Sequence, residues 1–496
     1  MAGVERGGDY VHETPVGVCV RCVAMIILWS LFVMLSVAPS IAVATTPAEG
    51  VVLAAQDVGS LPGDVRPHTR YLVFQDAGEL PVLNGHLNLL SRSSEIVQAA
   101  VVGGKVLRVN LLDYGWDPKV WETLEASDPY YHADLEVSRK RVRGLAPILS
   151  EGVVEQVVNG EKVYHNVTKN LAYLVQETQS KTPIVRADWF FNQTAAAADR
   201  SPNYYDFLAV KNEKDFQRLI GFDAKLAKDY GRILRESVSI SGVTHQPRAI
   251  EIQKSIGGWY LKTYDFAKAV GAKNPLRVLG DDISKVADAT EQYGPLPNGL
   301  WATFLADGNG VRQDSAPDKI ASDSMSRSTD KRVHINVSCV RCHTNGGLQP
   351  IDGFFRNFAR EGFAIGSPDY QKHLEVRREY MKSLQGSLDT ARLLYEEAIK
   401  EASGVDSKAF ASKYAAYWER YEDARIDLAW AAKDLGLKSE SLKALIESRV
   451  KAGIVDPTRG GVDLVMASWV RGSHIGVRQY EEVFQLIHIV LRGDRP

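Results

Sequence analysis

Residues 339–343 read Cys-Val-Arg-Cys-His. No other segment of this chain places so strong a constraint on the structures it can form. Two thiols three positions apart, with an imidazole directly behind them, have the spacing found where a haem is attached covalently. The thiols of Cys339 and Cys342 can add across the two vinyl groups of the porphyrin, which leaves His343 facing the iron as proximal ligand. The motif therefore predicts one covalently bound haem c, held by Cys339, Cys342 and His343.

The other two cysteines of the chain strengthen this prediction. Cys19 and Cys22 repeat the Cys-Val-Arg-Cys run, but Val23 stands at the position of the histidine. An apolar stretch over residues 23–38, followed by small residues, has the pattern of a signal peptide with its cleavage site. If residues 1–44 are removed, two of the four cysteines remain. That number excludes a disulfide framework and a four-cysteine zinc or iron–sulfur site.

Two other interpretations of the pair Cys339 and Cys342 stay open. The pair could form a redox-active disulfide, but the residues before Cys339 lack the βαβ pattern in which such pairs usually occur. The pair could also bind zinc together with His334. Adjacent Cys342 and His343 cannot readily bind one small tetrahedral ion together, however. We therefore prefer haem attachment over both.

The N-terminal segment predicts export, to the periplasm or the cell exterior. An uncleaved membrane anchor is the alternative, because the apolar run of about 20 residues is long enough to cross a bilayer. We prefer cleavage, since Pro39 and the small residues after it break the helix. The chain has 59 Lys and Arg against 61 Asp and Glu, which gives no case for nucleic acid as a partner. The expected partner is a redox protein or a small-molecule electron donor or acceptor.

The patterning along the mature chain predicts an α+β fold in three parts. Residues 45–330 form a mixed α+β domain, residues 331–365 the haem-attachment segment, and residues 366–496 a helical bundle that packs with that segment. Strands are expected at 105–111, 249–253 and 258–264, and a hairpin around Asn298-Gly299, because Asn-Gly accepts positive φ in a tight turn.

The remaining expectations concern one loop-like segment and five helices. Residues 45–66 have the composition of a linker or an early strand. Helices are expected over 213–236, from Ser367 to Ala402 with a break at Gly386, over 408–435, from Ser439, and over 478–491.

The chain resembles a group of uncharacterised secreted bacterial proteins with one cytochrome-c-type haem site. The resemblance covers most of the mature chain, in the stretches Lys105–Asp117, Leu296–Asp307, Ala316–Ile320, Ser338–His343, Ala431–Gly436 and Arg478–Phe484. It implies haem binding and export. Only the haem motif is chemically specific, and the group has no established substrate that could be transferred to this chain.

The sixth iron ligand is not determined by the sequence. After removal of the signal segment the candidates are Met325, Met381 and Met466 and several histidines, namely His334, His373, His474 and His488. Met381 and Met466 lie among apolar residues at helical spacing, which favours packing over ligation. The backbone of residues 346–350 is a candidate acceptor for the second ring nitrogen of His343. An aromatic cluster, comprising Tyr414, Tyr417, Trp418, Tyr421 and Trp430, is expected to pack the bundle.

Three functions fit these observations, and none of them assigns a catalytic residue. The preferred one is an exported monohaem cytochrome that carries electrons through a six-coordinate iron. The second is a haem-dependent oxidoreductase, peroxidase-like or oxidising a small molecule, with an open distal site. The third is a binding protein in which the haem is a structural staple.

Overall fold

The computed structural model describes residues 47–130, 153–158, 161–229, 233–255, 258–268, 273–275, 278, 282–318, 320–327, 330–343, 354, 364–379, 385–435 and 437–493. The predicted signal segment 1–44, Met381 and the loop 346–350 lie outside these ranges. None of the helices within them combines the length and the apolar character that a membrane crossing requires.

The strands are numbered in chain order. They are β1 Thr69–Val73, β2 Ala100–Val102, β3 Val106–Asn110, β4 Val153–Val158, β5 Glu161–Asn166, β6 Ile184–Arg186, β7 Ile233–Val238, β8 Arg248–Ser255, β9 Gly258–Asp265, β10 Ala289–Pro295, β11 Trp301–Asp307, β12 Arg312–Gln313, β13 Arg425–Ile426 and β14 Ile475–Gly476.

The helices are numbered in the same way. They are α1 Pro47–Ser60, α2 Leu80–Leu89, α3 Pro118–Glu122, α4 Val167–Thr178, α5 Ala187–Thr194, α6 Tyr204–Phe207, α7 Glu213–Leu219, α8 Ala224–Asp229, α9 Ile283–Val286, α10 Val337–Cys342, α11 Pro368–Glu379, α12 Gln385–Ser403, α13 Ser407–Glu422, α14 Leu428–Asp434, α15 Ser439–Lys451, α16 Val462–Val470 and α17 Val477–Arg492.

The described residues form two larger sheets, two two-stranded sheets (β4-β5 and β13-β14) and a set of helices, so the predicted α+β class is confirmed. The first sheet has the order β2-β3-β1-β6, in which β1 runs antiparallel to β3 and parallel to β6. The second has the order β12-β11-β10-β9-β8-β7, with antiparallel neighbours throughout. The predicted strands at 249–253 and 258–264 are β8 and β9. The predicted hairpin is β10–β11, with Gly299 at a φ of 85° in its turn.

A buried core connects distant parts of the chain. Leu72 of the first sheet, Phe304 of the second, Cys339, Tyr414 and Trp469 belong to one cluster of buried side chains. The described residues belong to a single compact unit. Helix α10, which carries the two cysteines, packs on α13 of the C-terminal helical part. The predicted domain boundaries at residues 330 and 365 stay predictions.

Four expectations about single elements are wrong. The break expected at Gly386 does not occur there, because this residue lies inside helix α12. Residues 47–60 are helix α1 and not a linker or strand, because Val51, Ala54, Ala55 and Val58 form a buried face at helical spacing. The helix expected over 213–236 is instead two short helices, α7 and α8, followed by β7, which is held as a strand by antiparallel pairing with β8.

The helix expected over 408–435 is interrupted between α13 and α14. There Arg425 and Ile426 pair with β14, and the side chain of Asp427 accepts a hydrogen bond from the backbone N–H of Trp430, so that a new helix begins. In these places tertiary pairing or capping outweighs local helix propensity.

Candidate functional site

Helix α10 brings the three predicted ligand residues together. Cys339 and Cys342 are one helical turn apart and therefore share a face of the helix. His343 follows directly, and its backbone N–H donates to the carbonyl of Cys339 at 2.8 Å. Cys339 is buried, Cys342 is half-buried, and both are free thiols.

A cavity of about 690 Å³ opens in front of this helix. Cys339, Cys342 and His343 line it on one side, and the second sheet lines it on another. Its volume is within the range of about 300–1,000 Å³ that ligand and cofactor pockets span.

The second sheet contributes one wall of the cavity, built from residues that are cross-strand partners on neighbouring strands. Ile250 of β8 is the strand partner of Thr263 of β9, which is in turn the partner of Glu291 of β10. Because strand side chains alternate between the two faces, Tyr293 lies on the same face as Glu291, and Arg248 on the same face as Ile250. All five side chains line the cavity.

A chain of polar contacts runs from the sheet to His343. Arg248 pairs with Asp265 at 2.7 Å and with Glu291 at 3.0 Å. The Tyr293 hydroxyl donates to Glu291, and the same hydroxyl lies 2.8 Å from Nε2 of His343. Since the one hydroxyl proton goes to Glu291, Nε2 of His343 must be the donor to Tyr293.

Burial and the charge of Glu291 together favour the protonated form of its neighbours. Burial alone would raise the pKa of Glu291, but Arg248, with His343 and the Tyr293 hydroxyl, holds that pKa below its usual value. Burial and, after it, the charge of Glu291 raise the pKa of Tyr293 well above its usual value. The site therefore contains a carboxylate beside a neutral phenol.

The two thiols are held in their protonated form. Burial, followed by the charge of Glu291, raises the pKa of Cys339 and of Cys342. The Cys339 sulfur lies 3.6 Å from a Glu291 oxygen. Because thiol–disulfide exchange needs a thiolate, these surroundings argue against a redox-active dithiol.

A zinc site with His334 also lacks support. Nε2 of His334 lies 2.8 Å from Asp330, and His334 is not among the residues that line the cavity. Within the described ranges no three His, Cys, Asp or Glu side chains converge as a metal site would require.

The backbone directly before α10 is strained. Asn336 has φ 63° and ψ −60°, and the N–H of Val337 donates to the carbonyl of Ile335 at 2.8 Å, which together define a γ-turn of the rare, positive-φ kind. The Asn336 side chain holds this turn by donating to the carbonyl of Ala195 at 3.1 Å and to the Tyr414 hydroxyl at 2.8 Å. The turn sets the direction in which α10 leaves the core.

Substitution of Asn336 can measure this strain. We expect Asn336→Gly to be more stable than Asn336→Ala by about 1–2 kcal/mol, the cost of a positive φ for a residue with a Cβ. Outside such positions alanine is the more stable residue, by about 0.5–1 kcal/mol in a helix or strand. Urea unfolding of both variants measures the difference, and an alanine variant at least as stable as the glycine variant would contradict the assignment of strain.

Of the other ligand candidates, Met325 lines the cavity and Met381 lies outside the described residues, whereas Met466, His373, His474 and His488 are not among the lining residues. Met466 is fully buried in the core, so the prediction that it packs is confirmed. His373 and His488 are buried elsewhere, and His474 is exposed. Tyr414, Tyr417, Trp418 and Tyr421 are buried in the main core and Trp430 packs against it, so the predicted packing role of the aromatic cluster is also confirmed.

Sequence reasoning missed the sheet side of the site. Arg248, Glu291 and Tyr293 occupy strands that were predicted or that directly precede the predicted hairpin turn. Their signal in the sequence was weak. A polar residue at a strand position that faces inward only interrupts the expected alternation of apolar and polar residues, and it does not by itself indicate a site.

Comparisons with protein-family models, with curated proteins and with solved structures find no match to this chain. The resemblance to the secreted monohaem group therefore stays a prediction.

The residues of the site fit a covalently held porphyrin. Two protonated thiols one helical turn apart, an imidazole directly after them and a cavity in front of all three are the donor set that such a group requires. Iron binding by Nε2 of His343 would require this nitrogen to give up its proton and its hydrogen bond to Tyr293, since metal ligands must be deprotonated.

Proposed function

We propose that this chain is an exported c-type cytochrome with one haem, attached to Cys339 and Cys342 and ligated by His343. It transfers single electrons to or from a redox protein or a small molecule. The single observation that carries the proposal is the cavity of about 690 Å³ lined by both thiols and the imidazole. When bound, the haem iron supplies a reversible one-electron couple.

The residues of the chain have separate tasks in this proposal. Helix α10 holds the two thiols at the separation of one turn, and the γ-turn at Asn336 orients that helix. Ile250 and Thr263 form part of the cavity wall on the side of the sheet. Glu291, paired with Arg248, accepts a hydrogen bond from the Tyr293 hydroxyl and would keep it oriented if Nε2 of His343 bound the iron.

A haem enzyme is the second candidate, and one observation favours it. Arg248, Glu291 and Tyr293 bring polar groups to the cavity wall, where they could bind a small polar substrate. The two candidates differ in the sixth coordination position, which is filled in an electron carrier and open in the enzyme.

The test is mass spectrometry and absorption spectroscopy of the full chain, expressed in a host that attaches c-type haem. We expect the mass of one haem on a chain cleaved near residue 44, a reduced spectrum of the thioether-linked type, and no rapid uptake of carbon monoxide. Rapid uptake of carbon monoxide or cyanide would favour the enzyme. A colourless protein with two free thiols would refute both candidates.

A further inference from the structure

We propose that Met325 is the distal ligand of the haem iron, opposite His343. This inference rests on the proposed function, because it concerns the same haem. It goes beyond the motif, since Met325 precedes Cys339 in the chain and lies in a loop that no helical or strand pattern identifies.

Met325 brings a thioether to the cavity from the loop before α10. Among the described residues that line the cavity, Cys339, Cys342, His343 and Met325 are those with a sulfur or an imidazole. The Met325 sulfur lies 3.8 Å from the sulfur of Cys342. Met325 is 58% exposed and lines the cavity.

The loop of Met325 is tied to the haem-attachment helix by one buried carboxylate. Oδ1 of Asp323 accepts hydrogen bonds from the backbone N–H groups of Met325 and Ser326, both at 3.1 Å. Oδ2 accepts from the hydroxyl of Ser338 at 2.6 Å and pairs with Arg341, and both of these residues belong to α10.

Asp323 is only 1% exposed. Removing one member of a buried, charged and hydrogen-bonded set is costly, so the carboxylate holds its partners firmly. The backbone of Met325 therefore keeps a constant position relative to Cys339 and Cys342. A ligand in such a position costs little additional ordering when it binds the metal.

The competing side chains are less suited to face His343 across an iron atom. The ring of Tyr293 lies against that of His343, with centroids 4.7 Å apart, and its hydroxyl is engaged by Glu291. This is the contact of two neighbouring side chains on one side of the site. Met466 is in the core, and His334 is paired with Asp330.

A thioether ligand would decide between the two candidate functions. Together with His343 it would saturate the coordination of the iron, and a thioether ligand would raise the reduction potential. The polar wall formed by Arg248, Glu291 and Tyr293 would then set the electrostatic surroundings of the haem and would not bind a substrate.

The experiment compares Met325→Leu with Met466→Leu, a matched control in the core. Covalent haem is expected in the wild type and in both variants by mass. Met325→Leu is expected to lose the sulfur-to-iron charge-transfer band in the near-infrared, to lower the midpoint potential and to bind carbon monoxide. Met466→Leu is expected to keep the wild-type band and potential. Met325→His adds an independent readout, since it should replace the sulfur band by a bis-histidine spectrum.

The possible results separate the two proposals. Wild-type protein without covalent haem refutes the proposed function. Wild-type protein with haem but without a sulfur–iron band, or a Met325→Leu variant with unchanged band and potential, overturns the assignment of Met325 alone. Loss of the band in Tyr293→Phe but not in Met325→Leu would also overturn it. If Met325→Leu retains no haem, the spectrum of Met325→His is the test. A bis-histidine spectrum supports the assignment of Met325, and an unchanged sulfur–iron band overturns it.

Discussion

Replacing Cys339 and Cys342 together by alanine is expected to remove all covalently bound haem from the purified protein. Each thiol supplies one of the two thioether links, so nothing would hold the porphyrin covalently when both are absent. The variant should be colourless after denaturation and extraction, and its mass should equal that of the polypeptide. Mass spectrometry under denaturing conditions, with the absorption spectrum of the same sample, measures both properties.

The chain contains its own control for this experiment. Cys19 and Cys22 have the same Cys-Val-Arg-Cys sequence but Val23 in place of the histidine. We expect alanine at both of these positions to leave the haem content of exported protein unchanged. Covalent haem in the variant that lacks Cys339 and Cys342 would refute the attachment site.

Acidification is expected to destabilise the protein through a buried histidine, His86. This residue is fully buried, and burial lowers its pKa to about 3. Its hydrogen bonds show which ring nitrogen of the neutral imidazole carries the proton. Thr194 donates its proton to the carbonyl of Phe190, so Nε2 of His86 donates to Thr194, and Nδ1 accepts from the Tyr414 hydroxyl, each at 2.8 Å.

The sign of the effect follows from the proton balance. The unfolded chain binds a proton at His86 below a pH of about 6.5, whereas the folded chain does so only below about 3. Stability is therefore intact above pH 6.5 and falls as the pH decreases toward 3. One pKa unit corresponds to about 1.4 kcal/mol, so the full loss is about 4–5 kcal/mol.

Urea unfolding at pH 7 and at pH 4 measures most of this effect. From His86 alone we expect a decrease of about 3 kcal/mol between the two values. The variant His86→Gln should lose that part of the pH dependence, although it is less stable at pH 7. His474→Gln, at an exposed histidine, serves as control and should keep the wild-type dependence. An equal pH dependence in wild type and His86→Gln would contradict the prediction.

The effect reaches the candidate haem site because His86 belongs to the support of α10. Tyr414 donates to His86 and accepts from Asn336, whose strained turn directs the helix that carries the cysteines. Protonation of His86 removes the acceptor of the Tyr414 hydroxyl. A buried residue far from the motif in sequence thus contributes to the position of the motif.

Elements with a strong local signal were predicted well. The alternation of side chains in β8 and β9 and the Asn-Gly turn after β10 specify strand and hairpin within a few residues. Helices α15 and α17 were predicted at Ser439 and over 478–491 from apolar residues at helical spacing and, in α15, from Glu440 in the first turn. Helix α1 was missed since its glycines and alanines have a weak apolar signal, although the buried face made by Val51 and Val58 has helical spacing.

The sequence by itself determined the chemistry of one side of the candidate site. Cys339, Cys342 and His343 are neighbours in the chain, and a single helical turn suffices to bring them together. Only the tertiary structure decided what stands opposite them. Glu291, Tyr293 and Met325 come from separate segments, whose meeting depends on strand register and on the buried carboxylate of Asp323. Such long-range pairing is selected by the packing of the whole core and leaves no fixed spacing in the sequence.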